Sequence, residues 1–178
     1  MRFVAELFKN QEYRQRLQQL RKLEAERIYC CHDICHFMDV ARLAQIRNLE
    51  ENMQQDKEMI YLYALLHDMG RVAEYEQGIS HAESSADYAG EILVHIGYPP
   101  KKTAVIQNAI RSHRSTEEQS ASKGETLQRS AAETAGQTDT FAALMKWADK
   151  ASRMCFLCKA QDTCKWSNDK KNKADNWM

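Results

Sequence analysis

Apolar residues recur along this chain mostly at helical spacing, and the two prolines stand together at Pro99 and Pro100. Side chains three and four positions apart share one helix face, so this period predicts an all-helical chain. Over residues 2–28, Phe3, Leu7, Tyr13, Leu17, Leu20 and Leu23 form one narrow stripe among Gln, Arg and Glu. That stripe predicts a single amphipathic helix lying on the surface of a core. A second helix is expected over 29–48, with Val40, Ala41, Leu43, Ala44 and Ile46 facing inward. A third, over 57–68, is apolar nearly all round (Ile60, Leu62, Ala64, Leu65, Leu66) and is therefore the expected central helix.

Gly70 ends that helix, and Gln77-Gly78 marks the turn that follows. Ser80 with Glu83 three positions later has the form of a capping box and puts a helix start at His81, with an end near Ile96. Gly97-Tyr98-Pro99-Pro100 breaks the pattern. A fifth helix from near Lys102 to His113 carries Val105, Ile106, Ala109 and Ile110 inward. Residues 115–140 are small and polar and read as a mobile loop or lid. Helical spacing returns from Phe141 to near Met154, and the tail beyond Cys164 is hydrophilic and expected to be loosely held. The expected organisation is an N-terminal amphipathic helix (1–28), a core (29–154, with 115–140 mobile) and a cysteine-containing tail (155–178). No internal repeat and no strand pattern is evident.

Ionisable residues stand where this pattern expects burial. His67-Asp68 ends the most apolar helix, and polar groups there are costly without partners. Neighbours on a regular helix point about 100° apart, so both reach one ion most easily where the helix unwinds, as Met69-Gly70 allows. His36 on the second helix, His113 at the end of the fifth and Asp149 in the sixth are further candidates. Mixed imidazole and carboxylate donors suit Mn, Fe, Co, Ni or Zn. The alternative for this set is a satisfied polar cluster inside a helical core.

With these residues the chain resembles the HD-domain phosphohydrolase superfamily, over roughly residues 30–152. The likeness rests on His36 in His-Phe-Met-Asp-Val-Ala-Arg-Leu-Ala, on His67-Asp68 in Leu-Leu-His-Asp-Met-Gly-Arg, and on Asp149 in Trp-Ala-Asp-Lys. It implies a single-domain, all-α HD-type bundle. Members with two metals carry extra histidines where His81 and His113 stand. The resemblance then implies His36, His67, Asp68 and Asp149 on one ion, with His81, His113 and a shared Asp68 on the other. In this respect the chain looks like the bacterial symmetrical diadenosine tetraphosphate hydrolases. It departs from the cyclic-di-GMP phosphodiesterase branch, since Gly97-Tyr98-Pro99 lacks the acidic and paired-histidine residues that should precede it.

The resemblance implies a metal-dependent phosphohydrolase acting on a small phosphorylated substrate such as a nucleotide. One or two divalent ions (Fe, Mn, Co, Ni, Zn or Mg) would be its cofactors, with Asp68 bridging them and orienting water. Arg71, directly after the turn, Arg114 beside His113 and Lys150 beside Asp149 are placed to bind phosphoryl oxygens; Arg71 and Arg114 could equally form surface salt bridges. His81 is either a ligand or an exposed residue at a helix start. His32, four residues before His36, reads as a partly exposed helix residue or as an alternative ligand or substrate contact. A second functional reading keeps the fold without turnover, as a regulatory protein that holds metal or nucleotide.

Composition narrows the partners. Lys+Arg 25 against Asp+Glu 25 gives a formal net charge of +0, which argues against a broad nucleic-acid surface, because that affinity comes from phosphate neutralisation. No apolar run approaches the ~20 residues of a membrane span, and the start has no signal-peptide core, so a soluble, cytoplasmic protein is expected. A homodimer is compatible with the sequence. The 178 residues suffice for one core without disulfides. The six cysteines (30, 31, 35, 155, 158, 164) are then reduced thiols or metal ligands. Cys155-x-x-Cys158 with Cys164 is incomplete as a zinc motif unless a fourth ligand comes from the first group.

Overall fold

The computed structural model describes the backbone of residues 1–113 and 132–176 and the side chains of 1–113 and 139–175. Among the described residues there are eight α-helices and no strand: α1 (Arg2–Lys9), α2 (Gln11–Leu23), α3 (Ile34–Glu50), α4 (Lys57–Leu66), α5 (Arg71–Gln77), α6 (His81–His95), α7 (Pro100–Ser112) and α8 (Ala132–Ala151). Single 3₁₀ turns follow at Cys155–Leu157 and Ala174–Asn176.

Helix α4 is central, as its all-round apolar sequence requires. It packs against α1, α3, α6, α7 and α8, and Ile60, Leu62, Tyr63, Leu65 and Leu66 are fully buried. Each of the aliphatic side chains contributes roughly 1.5–3 kcal/mol relative to exposure, so the turn that ends α4 is held on a rigid base. Asp56 caps its start, accepting from the Glu58 and Met59 amides at 2.8 and 3.3 Å.

The N-terminal segment is two helices rather than one. Asn10 leaves helical geometry (φ −64°, ψ 125°), and its side chain accepts from the Tyr13 amide at 3.0 Å, a cap that restarts the helix. The stripe survives the break because Leu7, Tyr13 and Leu20 all remain buried. Glu58 closes the free end of α1 by accepting from the Phe3 amide at 2.7 Å. Arg16 of α2 donates to the Met69 carbonyl at 3.1 Å and so reaches the turn after α4.

Other boundaries shift for local reasons. Helix α3 starts at Ile34, not Tyr29, because Asp33 caps it by accepting from the His36 amide at 3.0 Å. Ile46 is 51% exposed, and Phe37 supplies inward bulk instead. The short helix α5 was not expected; Gly78, left-handed at φ 72°, ends it. Helix α6 starts at His81 as expected, but without the capping box: Ser80 makes no side-chain cap bond, and Glu83 accepts from Arg111 of α7 at 3.1 Å. Helix α7 begins at Pro100, where a proline's missing N–H costs nothing.

The expectation of a mobile loop over 115–140 fails for 132–140, which are helical and belong to α8; the remainder of that stretch lies outside the described residues. The tail is better held than its polarity suggested. The Asn172 side-chain amide donates to the carbonyls of Lys150 and Arg153, both at 2.7 Å, which ties the tail to the end of α8 and the residues just after it.

Candidate metal centre

The turn that carries His67 and Asp68 tightens as α4 ends. His67 still donates its amide to the Tyr63 carbonyl, but Met69 and Arg71 donate to residues only three back, Leu66 and Asp68, at 3.2 and 3.1 Å. This tightening turns both side chains toward the interior, where His67 is fully buried and Asp68 nearly so. Gly70 permits the close approach of α6. A Cβ there would stand 2.3 Å from the Ser85 nitrogen and 2.4 Å from the His81 carbonyl oxygen.

Around this turn the fold assembles two donor sets that share one residue. His36, His67, Asp68 and Asp149 bring ligand atoms within 4.8 Å of one another, and so do Asp68, His81 and His113. The two oxygens of Asp68 face different sets. Oδ2 lies 3.2 Å from His67 Nε2 and 3.8 Å from His36 Nε2; Oδ1 lies 3.8 Å from His81 Nε2. His36 Nε2 is also 3.5 Å from Asp149 Oδ1. His81 is fully buried at the start of α6, which removes the reading of it as an exposed helix residue.

The imidazoles are oriented alike. Nδ1 of His67 is held by the Ala64 carbonyl at 2.8 Å and Nδ1 of His113 by the Ile110 carbonyl. A carbonyl only accepts, so each Nδ1 carries a proton and Nε2 is the nitrogen turned toward the cluster. His81 Nδ1 lies 3.0 Å from Glu74 Oε1. His36 Nδ1 lies 3.2 Å from the Ser152 hydroxyl, which donates its own proton to the Asp149 carbonyl at 2.8 Å. Anchoring one ring nitrogen so that the other faces inward is how proteins prepare histidine ligands. Nε2 of His36 and of His67 are buried and make no hydrogen bond, a costly condition that a cation would relieve.

The electrostatics favour a cation as well. Burial pushes the carboxyls of Asp68 and Asp149 up, but at Asp68 the charges of His67 and Arg71 outweigh it, and at Asp149 the imidazoles of His36 and His67 do. Both carboxyls are held well below the usual carboxylate range. Burial opposes a charge on His67, yet the adjacent Asp68 and Asp149 raise its pKa to about 10. A proton on His67 Nε2 thus offsets the two carboxylates, and a bound cation would take that proton's place and leave the imidazole neutral. The donor set fits a divalent ion: neutral imidazoles and ionised carboxylates converge in a buried, anionic place.

The anion-binding candidates fare differently. Arg71 is mostly buried, with Nε donating to Asp68 Oδ1 at 2.8 Å and Nη1 to Glu74 Oε2 at 3.4 Å. It therefore orients the carboxylate shared by the two sets. Lys150 is exposed beside Asp149. Arg114 lies outside the described residues.

His32 is the residue that the sequence undervalued. It precedes α3 and is buried, 7% exposed, with Nε2 3.8 Å from Asp68 Oδ2. Its Nδ1 is 2.8 Å from Oε1 of buried Glu24, whose Oε2 accepts the His32 amide at 2.6 Å and whose Oε1 also accepts from Tyr75 Oη at 2.7 Å. The available signal was the four-residue spacing to His36. The assumed helix hid it, by placing His32 on a helical surface instead of in a capped bend.

Glu24 gives a pH prediction. Burial raises its pKa, but bonds from His32 and Tyr75 outweigh that and bring it from 4.5 down to about 2. A depressed carboxyl stabilises the fold above its unfolded pKa, and the contribution is lost as pH falls from about 4.5 through about 2. Glu24→Ala is expected to cost on the order of 2 kcal/mol at pH 7 and less at pH 3, as read by urea unfolding in chelator. An equal cost at both pH values would show that ionised Glu24 contributes nothing.

Comparison with known proteins supports the assignment of family. A Clostridium beijerinckii protein described as uncharacterized is 38% identical over 161 residues, covering 90% of each chain. A crystal structure from an uncultured Thermotogales bacterium, described as a predicted HD superfamily hydrolase, superposes with a TM-score of 0.56 at 23% identity, covering 94% of this chain and 86% of the other. Its likeness is one of fold. Residues 33–154 match the family model described as HD domain, a span that holds both donor sets, and the chain belongs to the HD domain family.

Proposed function

We propose that this chain is a two-metal phosphohydrolase that cleaves a phosphoester or phosphoanhydride bond of a nucleotide or another small phosphorylated metabolite. The observation that carries this reading is the division of Asp68, whose Oδ2 faces His36 and His67 while Oδ1 faces His81. A carboxylate so placed suits a bridge between two cations. His36, His67, Asp68 and Asp149 would hold one ion, and Asp68, His81 and His113 the other. Such ions, when bound, neutralise phosphoryl oxygens and lower the pKa of water into the neutral range.

The chain's own groups do the rest. Arg71 fixes the Asp68 carboxylate through its Nε bond, which sets where the shared ligand points. Glu24 holds His32 so that Nε2 is turned toward Asp68, the position for a group that accepts a proton or contacts substrate. In the hydrolysis, the water oxygen bonds to phosphorus, the phosphorus–oxygen bond to the leaving group breaks, and the leaving oxygen takes up a proton. Lys150 and Arg114 are proposed to attract the anionic substrate. The finer reading, symmetrical cleavage of a dinucleoside tetraphosphate, rests on the two-metal pattern alone.

The test is a substrate panel of a phosphomonoester, nucleoside mono- and triphosphates and dinucleoside tetraphosphates, each assayed with Mn, Fe, Co, Ni, Zn and Mg. We expect chelator-sensitive hydrolysis of at least one nucleotide. Tight nucleotide binding with no hydrolysis under any metal would favour a regulatory protein instead.

A further inference from the structure

Two residues of the first donor set need no outside support. His67 and Asp68 stand on the turn that ends buried α4. The other two, His36 and Asp149, come from the start of α3 and the last turn of α8, separate pieces of chain. One side chain joins them. The Ser152 hydroxyl has a single proton, which it donates to the Asp149 carbonyl at 2.8 Å. Toward His36 Nδ1, 3.2 Å away, the same oxygen can therefore only accept. Ser152, itself buried, thus keeps a proton on Nδ1 and turns Nε2 into the donor set, where it lies 3.5 Å from Asp149 Oδ1.

Ser152 lies one residue beyond the end of α8. Its own amide bonds back to the Ala148 carbonyl at 2.9 Å, and the backbone around it is held by the tail, a segment past residue 154, where the HD domain match ends. The half-buried Asn172 side chain donates to carbonyls on both sides of Ser152: to Lys150 and Arg153 at 2.7 Å and to Ala151 at 3.3 Å. Asn172 is braced in turn. Its neighbour Lys171 donates to the Gln161 carbonyl at 2.8 Å, and the Arg153 guanidinium packs on Trp166 at 4.4 Å. The same tail also reaches the other piece of chain. The Thr163 hydroxyl accepts from Tyr29 Oη at 3.1 Å, on the connection that leads into the Asp33 cap of the helix carrying His36. The tail therefore grips both segments that supply the movable half of the first donor set.

On the reading of His36 and Asp149 as ligands of one ion, we propose that the tail is a clamp on the first metal position, with Asn172 and Ser152 as its positioning residues. Asn172 fixes the backbone that flanks Ser152, and Ser152 sets the His36 imidazole against Asp149. The clamp makes the two donor sets unequal, because His81 and His113 take their Nδ1 partners from Glu74 and the Ile110 carbonyl, away from the tail.

The test uses the full chain. Asn172→Asp keeps the size of the side chain but cannot donate, and Ser152→Ala removes the hydroxyl. Each should weaken the ion at His36 about 10–100-fold, the usual effect of losing the outer partner of a ligand, and leave the ion at His81 and His113 unchanged. Anomalous diffraction from crystals at limiting manganese reads the two positions separately, whereas a general loss of structure would lower both. A second readout needs no metal. Crystals of Asn172→Asp grown in chelator should show the Ser152 oxygen withdrawn from His36 Nδ1, with His81 and His113 in place. A wild-type chain that binds no ion would defeat the ligand reading, and the chelator crystals would then decide the clamp alone. An undiminished ion at His36 in Asn172→Asp, equal loss at both positions, or Ser152 unmoved in the chelator crystals overturns the proposal.

Discussion

Asp68→Asn is expected to empty both metal positions together and to lower turnover by roughly 10³-fold or more. Loss of a shared charged ligand removes several kcal/mol of charge stabilisation, and about 1.4 kcal/mol is a factor of ten in rate. Among the described residues, no other belongs to both donor sets. The variant should still fold, since an asparagine oxygen can accept the Arg71 Nε bond that Asp68 Oδ1 accepts at 2.8 Å. Metal analysis and product chromatography on the folded variant check the prediction. Retention of one full metal equivalent with near-normal turnover would remove Asp68 from the bridge.

Gly70→Ala carries the largest expected effect on stability. The new Cβ would fall 2.3 Å from the Ser85 nitrogen, 2.4 Å from the His81 carbonyl oxygen and 2.7 Å from the Ser84 carbonyl carbon. These are backbone atoms of α6 that cannot rotate aside. Overpacking of a rigid contact costs about 1–3 kcal/mol and occasionally more, and here the Gly70 amide also donates to Ser85 Oγ at 2.8 Å. A loss of about 3 kcal/mol or more is expected in urea unfolding. The displaced α6 carries His81 with it, so affinity at the second donor set should fall even in whatever variant remains folded. Unchanged stability would mean that the packing of α6 on this turn does not constrain the centre.

Much of the architecture could be read from residue pattern, because burial and period are coupled. The all-round apolar run over 57–66 had to be central, whereas the helix start at His81 was placed correctly by a capping box that does not form. The gathering of His36, His67, Asp68 and Asp149 was also readable, since ionisable residues at the ends of apolar helices need partners, and His81 and His113 entered through the family resemblance. Three kinds of feature were not. Asn10 and Asp33 moved helix boundaries through side-chain caps, which a hydrophobic stripe does not record. Residues 132–140 are helical despite their small polar side chains, because the helix that Phe141, Leu144, Met145 and Ala148 anchor in the core extends back through them. The pairing of Glu24 with His32 depends on the path of the bend between α2 and α3, and the hydrogen bond between Tyr29 and Thr163 joins residues 134 apart in the chain.

The central claim is that two cations share Asp68. Anomalous diffraction from crystals soaked in manganese locates them directly. The account predicts two peaks flanking the Asp68 carboxylate, one among His36, His67 and Asp149 and one against His81 and His113. A single peak, with the imidazoles of His81 and His113 turned to other partners, would contradict it.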